Sequence, residues 1–208
     1  MSSPLDHLVY ATPDLEAGMA HIENLLGVAA RPGGNHPGMG TRNALLTLGT
    51  MCYLEIIGPD PQQTDFKGER PFGINALEAP RLVTWAARRL ELGQFVETAR
   101  SRGEELGEVL PMSRKTPKGE LLTWKLTLPA INNGVGIRPF FIDWGVTPHP
   151  AGHSPTGAHL KSLQLEHPQP EEVLHMTKAL ELEVSVIEAP CPGMAAFIEC
   201  PAGKIELR

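Results

Sequence analysis

Apolar and polar positions along this chain alternate between two periods, and the order of the periods repeats. Residues 5–10, LDHLVY, alternate with period two and predict a strand. Leu15, Met19, Ile22, Leu25 and Leu26 then recur at helical spacing. Thr12 or Asp14 can cap that helix, Pro13 suits its first turn, and Gly27 ends it. A loop rich in Gly and Pro follows, ARPGGNHPGMGT, and then two strands, NALLTLG and MCYLEIIG. The order recurs from residue 82. LVTWAA reads as a strand, ELGQFVETARSRG as a helix, and GEVLPMSR, GELLTWKLTLP and RPFFIDW as strands. It recurs again with HLKSLQLEHP, the helix PEEVLHMTKALEL, and the strands EVSVIEA, MAAFIEC and KIELR. The first and third openings align without a gap, LDHLVYATPDLE over LKSLQLEHPQPE, and their endings match, YLEII over KIELR.

These repeats predict an α+β protein of three βαβββ modules, 1–57, 80–144 and 158–208, joined by linkers 58–79 and 145–157. One such unit cannot bury its apolar face alone. Two side by side make a curved mixed sheet with helices outside, and the concave side is a natural cup for a small ligand.

Composition narrows the partners. Gly and Pro make up about a fifth of the chain, which fits many turns and short elements. The net charge of −6, with no basic run, argues against nucleic acid or an anionic membrane as the main partner. No secretory signal is readable at MSSPLDHLVY, and no apolar run is long enough to span a bilayer. Three cysteines without a CxxC spacing, with Cys52 and Cys200 inside apolar runs, predict buried free thiols and a reducing, cytoplasmic location.

Few residues stand out as chemistry. On strict alternation His7 shares a face with Leu5 and Val9, with Asp6, Leu8 and Tyr10 opposite. A neutral imidazole there can bind a divalent metal; the alternative is a hydrogen-bonded core histidine. Glu55 sits in CYLEIIG with Tyr53 and Ile57 on its face, and a carboxylate in such a run is costly to bury unless paired or metal-bound. Asp143 in RPFFIDW and Glu206 in KIELR repeat that pattern. The loop GGNHPGMGTRN offers His36 as an acid or base and Asn43 as a group facing the cup. Trp124 could wall an apolar pocket, and Arg88 or Arg114 could bind a substrate carboxylate. His149 and His153 lie in a Pro/Gly linker with no carboxylate at ligand spacing, and no role follows for them. GxSxG, HExxH and GxxxxGK[ST] are absent, and GMGTRN is not a dinucleotide fingerprint.

Together, DHLVYATPDLEAG, GGNHPGMGTRNALLTLG, YLEIIG, TPKGELLTWKL and RPFFIDW resemble the glyoxalase-like domain family of the vicinal-oxygen-chelate superfamily, over about residues 5–144. The resemblance implies paired βαβββ units around a cup. It also implies a divalent metal ion (Zn, Fe, Mn or Ni) held by a first-strand His and a fourth-strand Glu, which match His7 and Glu55. The partner unit would supply Asp143, with Thr84 at the opening position, or Glu206 with Ser162. Either way a hydroxyl residue replaces one usual ligand. The implied function is a metal-dependent lyase, isomerase or dioxygenase acting on a small substrate with vicinal oxygens. Glu55 or His36 would move the proton, and Asn43, Trp124 and Arg114 would bind substrate. The alternative is a metal-free protein that binds or sequesters a small molecule. The resemblance also implies a homodimer.

Overall fold

The computed structural model describes residues 5–116, 119–127 and 136–208. The first module runs β1 (Leu5–Ala11), α1 (Leu15–Leu26), β2 (Arg31–His36), β3 (Thr41–Gly49) and β4 (Cys52–Pro59). The second runs β5 (Arg81–Arg88), α2 (Leu92–Ser101), β6 (Val109–Lys115), β7 (Leu121–Thr127) and β8 (Phe140–Asp143). The expected β7 would extend to residues 128 and 129, which lie outside the described residues, as do residues 1–4 of the first module.

Both modules belong to one eight-stranded sheet of order β2-β3-β4-β1-β5-β8-β7-β6. In each, the first strand lies parallel to the fourth, β1 with β4 and β5 with β8, and β1 joins β5 antiparallel at the centre. The sheet curls until its end strands, β2 and β6, touch. The result is a nearly closed cup.

Helix α1 forms where the caps demand. The Asp14 side chain accepts from Ala17 N–H at 2.9 Å, and Gly27, at φ +72°, donates to the Glu23 carbonyl. Leu15, Ile22 and Leu26 bury its inner face. Gly18 admits Thr12, whose side chain stands 2.8 Å from where a Cβ would sit.

The stretch read as a Gly/Pro loop contains a strand. Residues 31–36 form β2 at the end of the sheet, paired to β3 with a register shift between Pro32 and Gly34. An end strand needs only one row of partners, so Pro32 and the glycines are tolerated there, and none of the usual alternation is written into it.

The third unit, β9 (His159–His167), α3 (Pro170–Ala179), β10 (Ser185–Glu188), β11 (Gly193–Cys200) and β12 (Gly203–Leu207), keeps the element order but not the pairing. Its four-stranded sheet has order β10-β9-β11-β12, so its opening strand lies between its second and third, and β12 is an edge. Leu163, Leu165, Met194 and Ile198 of this sheet join Leu8, Leu46, Leu54, Trp85 and Phe141 in the main core on the convex side. The concave side holds a second cluster, including Val9, Tyr53, Ile57, Phe140, Ile142 and Trp144.

The two expected linkers help fill that concavity. A kinked 3₁₀ segment, Pro71–Ala76, places Ile74 in the concave cluster, and a second, Pro150–His153, places Ala151 there. Thr47 fastens the latter, donating Oγ1–H to the Ala151 carbonyl at 2.7 Å and N–H to the Pro155 carbonyl at 2.9 Å. Cys52, Cys191 and Cys200 are free; Cys52 and Cys200 are half-buried rather than fully buried, and Cys191 is exposed.

Candidate active site

A bulge in β1 sets the site. Leu5 pairs with Ala87 and His7 with Ala86, so one extra residue, Asp6, is accommodated between them. The bulge overturns the strict alternation expected for β1. Leu5 turns to the convex core, and the Asp6 and His7 side chains lie together, Asp6 Oδ1 2.7 Å from His7 Nδ1.

Asp6 is fully buried and gathers donors from distant parts of the chain. It accepts from Trp144 Nε1 at 3.1 Å and His149 Nε2 at 3.0 Å, and Arg88 lies 3.5 Å away. Burial would raise its pKa, but the hydrogen bonds from His149 and His7 hold it at about 2. An ionised carboxylate can only accept, so His7 Nδ1 carries a proton, and in the neutral imidazole Nε2 presents a lone pair. His149, given no role by its sequence context, is fixed likewise: its Nδ1 accepts from Ala151 N–H and its Nε2 donates to Asp6.

His7 stacks on Tyr53, with centroids 4.5 Å apart, and meets Phe140 edge-on at 5.3 Å. Burial pushes the Tyr53 hydroxyl well above its ordinary pKa, which keeps it neutral. The register of β1 with β4 sets Glu55 beside Val9, one strand from His7 on the concave face. His7 Nε2 faces Glu55 Oε2 across 3.8 Å. Glu55 Oε1 accepts from Asn43 Nδ2 at 2.6 Å and lies 3.9 Å from His36 Nε2. His36 Nδ1 is 3.0 Å from Thr41 Oγ1. Burial lowers the His36 pKa; the Glu55 and Asp60 charges oppose this, and the Arg114 charge adds to it. Thr41 Oγ1 can donate to or accept from Nδ1, so either tautomer of a neutral His36 keeps this contact with Nε2 toward Glu55. Asn43 itself is held against Gly33, where a Cβ would stand 2.4 Å from Asn43 Oδ1.

Arg114 and Trp124 face the same concavity from the second module. Arg114, 6% exposed, donates to the Gly33 carbonyl at 2.6 Å across the gap between β6 and β2. Trp124 packs on Trp144 at 5.3 Å.

The structure does not bring Asp143 to His7 and Glu55. Phe140, Ile142 and Trp144 alternate into the concave cluster, which turns Asp143 outward with Phe141. Asp143 Oδ1 accepts from Gly145 N–H at 2.9 Å, and Oδ2 faces Leu92 N–H at the start of α2. Register explains this. His7 pairs with Ala86 and Val9 with Thr84, a two-fold relation that makes Thr84 the counterpart of His7 and Ala86 that of Val9. Glu55 lies beside Val9 and Phe140 beside Ala86, so the counterpart of Glu55 is Phe140. Thr84 donates to the Gly136 carbonyl. Glu206 and Ser162 belong to the four-stranded sheet, where Glu206 pairs with Arg208. Among the described residues no group of three or more His, Cys, Asp and Glu side chains is assembled as a metal sphere. Two lone pairs nevertheless face each other at 3.8 Å, His7 Nε2 and Glu55 Oε2, and that donor pair fits a cation between them.

The sequence model of the glyoxalase-like domain matches residues 5–181. The chain belongs to the glyoxalase-like domain family. Among solved structures, a hypothetical protein from Staphylococcus aureus is 14% identical over 97% of this chain and 83% of its own, with a TM-score of 0.66. Methylmalonyl-CoA epimerase from Mycobacterium tuberculosis is 20% identical over 71% of this chain and 91% of its own, with a TM-score of 0.44. The Streptomyces coelicolor methylmalonyl-CoA epimerase, in complex with 2-nitronate-propionyl-CoA, is 17% identical over 70% and 97%, with a TM-score of 0.47. At 14% identity the likeness to the Staphylococcus aureus protein is one of fold. No curated protein matches the chain. This glyoxalase-like chain carries His7, His36, Asn43 and Glu55 on its first module, with Arg114 reaching in from the second and Trp144 and His149 holding Asp6 from beyond.

Proposed function

We propose that the protein is a glyoxalase-like enzyme that moves a proton on a small substrate with adjacent oxygen atoms, at the cluster of His7, Glu55 and His36. The observation that carries this reading is the pair of lone pairs, His7 Nε2 and Glu55 Oε2, fixed face to face in a buried cup. Asp6 sets the His7 tautomer, and Asn43 orients Glu55. A divalent ion (Zn, Fe, Mn or Ni) would be held by His7 and Glu55, where it would polarise the substrate oxygens and stabilise the enolate or alkoxide that forms. His36, kept neutral by burial, takes or returns the proton through Nε2. Trp124 and the apolar wall of Tyr53 and Phe140 exclude water from the concavity.

The test has two arms. Metal analysis of protein purified without chelator should find a stoichiometric transition metal that His7→Ala loses while the fold survives. Incubation in D2O with a panel of small dicarbonyl compounds and hydroxy acids should show carbon-bound protons exchanging. Glu55→Gln should slow that exchange about 100-fold or more. Exchange that is indifferent to Glu55→Gln would refute the proposal.

A second reading, a metal-free binder of the same fold, is favoured by Phe140 and Thr84 standing where the second module would otherwise place ligands. No metal after soaking, with saturable ligand binding and no exchange, would select it. Free thiols suit a reducing compartment such as the cytoplasm. No described helix is long and apolar enough to cross a membrane. A homodimer would form through β10 or β12, the open edges of the small sheet, and light scattering distinguishes one chain from two.

A further inference from the structure

The eight-stranded sheet curls until β2 meets β6, but the two strands do not pair, and a cleft remains at the seam. Its volume is about 640 Å³, within the range of small-ligand sites. Gly34, Asn35 and Pro37 line it from β2 and the turn after it, and Ser113, Arg114 and Lys115 from β6. His36 lies between two of these lining residues, so the cleft borders the polar cluster.

The cation in this cleft is unusual. Arg114 is buried, yet no carboxylate among the described residues lies within ion-pairing distance of it. Among the described residues it makes one hydrogen bond, to the Gly33 carbonyl, for a group with five N–H donors. Burying a cation without a counter-ion is costly. The Glu55 charge, inside the cup, acts on Arg114 without an ion-pair contact. Gly34 leaves room for the guanidinium: a Cβ there would stand 2.9 Å from the Arg114 Nη1. Lys115 adds a second positive charge at the mouth of the cleft.

We propose that the seam between β2 and β6 is the entrance for a small anionic substrate, and that the Arg114 guanidinium binds its carboxylate or phosphate group. This inference rests on the proton-transfer reading for its orientation: an oxyanion held on Arg114 places the rest of the molecule toward His36 and Glu55. The planar fork of arginine suits either oxyanion.

Calorimetric titration of the full chain, at constant ionic strength, with inorganic phosphate and separately with malonate tests it. Saturable binding of one equivalent of either probe is expected, and the one that binds more tightly identifies the oxyanion. Arg114→Gln should weaken binding about tenfold or more, and Lys115→Gln, at an exposed position, by less. Glu55→Gln should retain probe binding, because it removes a nearby negative charge, while it slows proton exchange about 100-fold or more. Should Arg114→Gln fail to fold, Arg114→Lys keeps the charge and loses the fork, and it should bind several-fold more weakly. Saturation by neither probe, or unchanged affinity in the arginine variant that folds, would overturn the inference. Probe binding without any exchange in the wild type would sink the proton-transfer reading and leave the anion site standing.

Discussion

Replacing Asp6 by Asn tests how much of the site hangs on one carboxylate. In the folded chain Asp6 is fully buried, and its pKa sits at about 2 against an ordinary 3.8. That difference corresponds to about 2–3 kcal/mol of stability at neutral pH. The sign follows from the direction. A carboxyl depressed on folding stabilises the protein above its unfolded pKa, and the contribution fades as pH falls from about 5 to about 2. The Asn side chain has one acceptor oxygen, which would have to serve the three N–H donors of His7, His149 and Trp144. Asp6→Asn should therefore lose about 2–3 kcal/mol at pH 7, a fall in Tm of roughly 5–10 °C for a chain of this size. Its stability should also be less steep than that of the wild type in the acid window. Urea unfolding at several pH values reads both quantities, and ¹⁵N NMR of the imidazoles reads whether His7 keeps its Nδ1–H tautomer. A variant as stable as the wild type at pH 7, with the same acid slope, would refute the account of Asp6.

Other expectations follow from single contacts. Gly33→Ala would drive a Cβ to 2.4 Å from Asn43 Oδ1 and should cost about 1–3 kcal/mol, read by thermal unfolding, while releasing the amide that orients Glu55. Asp143→Asn should leave metal content unchanged, because Asp143 faces away from His7 and Glu55; loss of metal would show the register argument to be wrong. His36 should titrate below its ordinary 6.5 by NMR, as burial dictates, and a midpoint above 6.5 would contradict the buried geometry. Burial pushes the Cys52 thiol up, so a thiol reagent at pH 8 should label exposed Cys191 first and leave Cys52 unmodified.

What the sequence disclosed and what it hid divide along physical lines. Asp14 and Gly27 announce α1 because caps are local, and His7 and Glu55 stand out because polar groups inside apolar strands are local too. β2 was invisible because an end strand needs no alternation and tolerates Pro32. The bulge at Asp6 was invisible because alternation counts residues and a bulge inserts one. Even so, an acidic residue next to His7 in an apolar strand is a local signal of that clamp. His149 could not be read at all, since its partner is 143 residues away. Asp143 misled because the motif alone does not say which residue of RPFFIDW lies beside Ala86; the register with β5 gives that place to Phe140.

The reach of Asp6 has a consequence for how the protein comes into being. Its partners lie 1, 82, 138 and 143 residues along the chain. During synthesis β1 precedes two of the donors that make its carboxylate tolerable, Trp144 and His149, by both modules. Contacts so distant in sequence form late, because the long loop must close before they add stability. A fragment ending in the first linker would carry His7, His36, Asn43 and Glu55 and still lack the clamp that orients the first of them. His7, His36, Asn43 and Glu55 belong to one module, but groups far beyond it in the chain hold the first of them in shape.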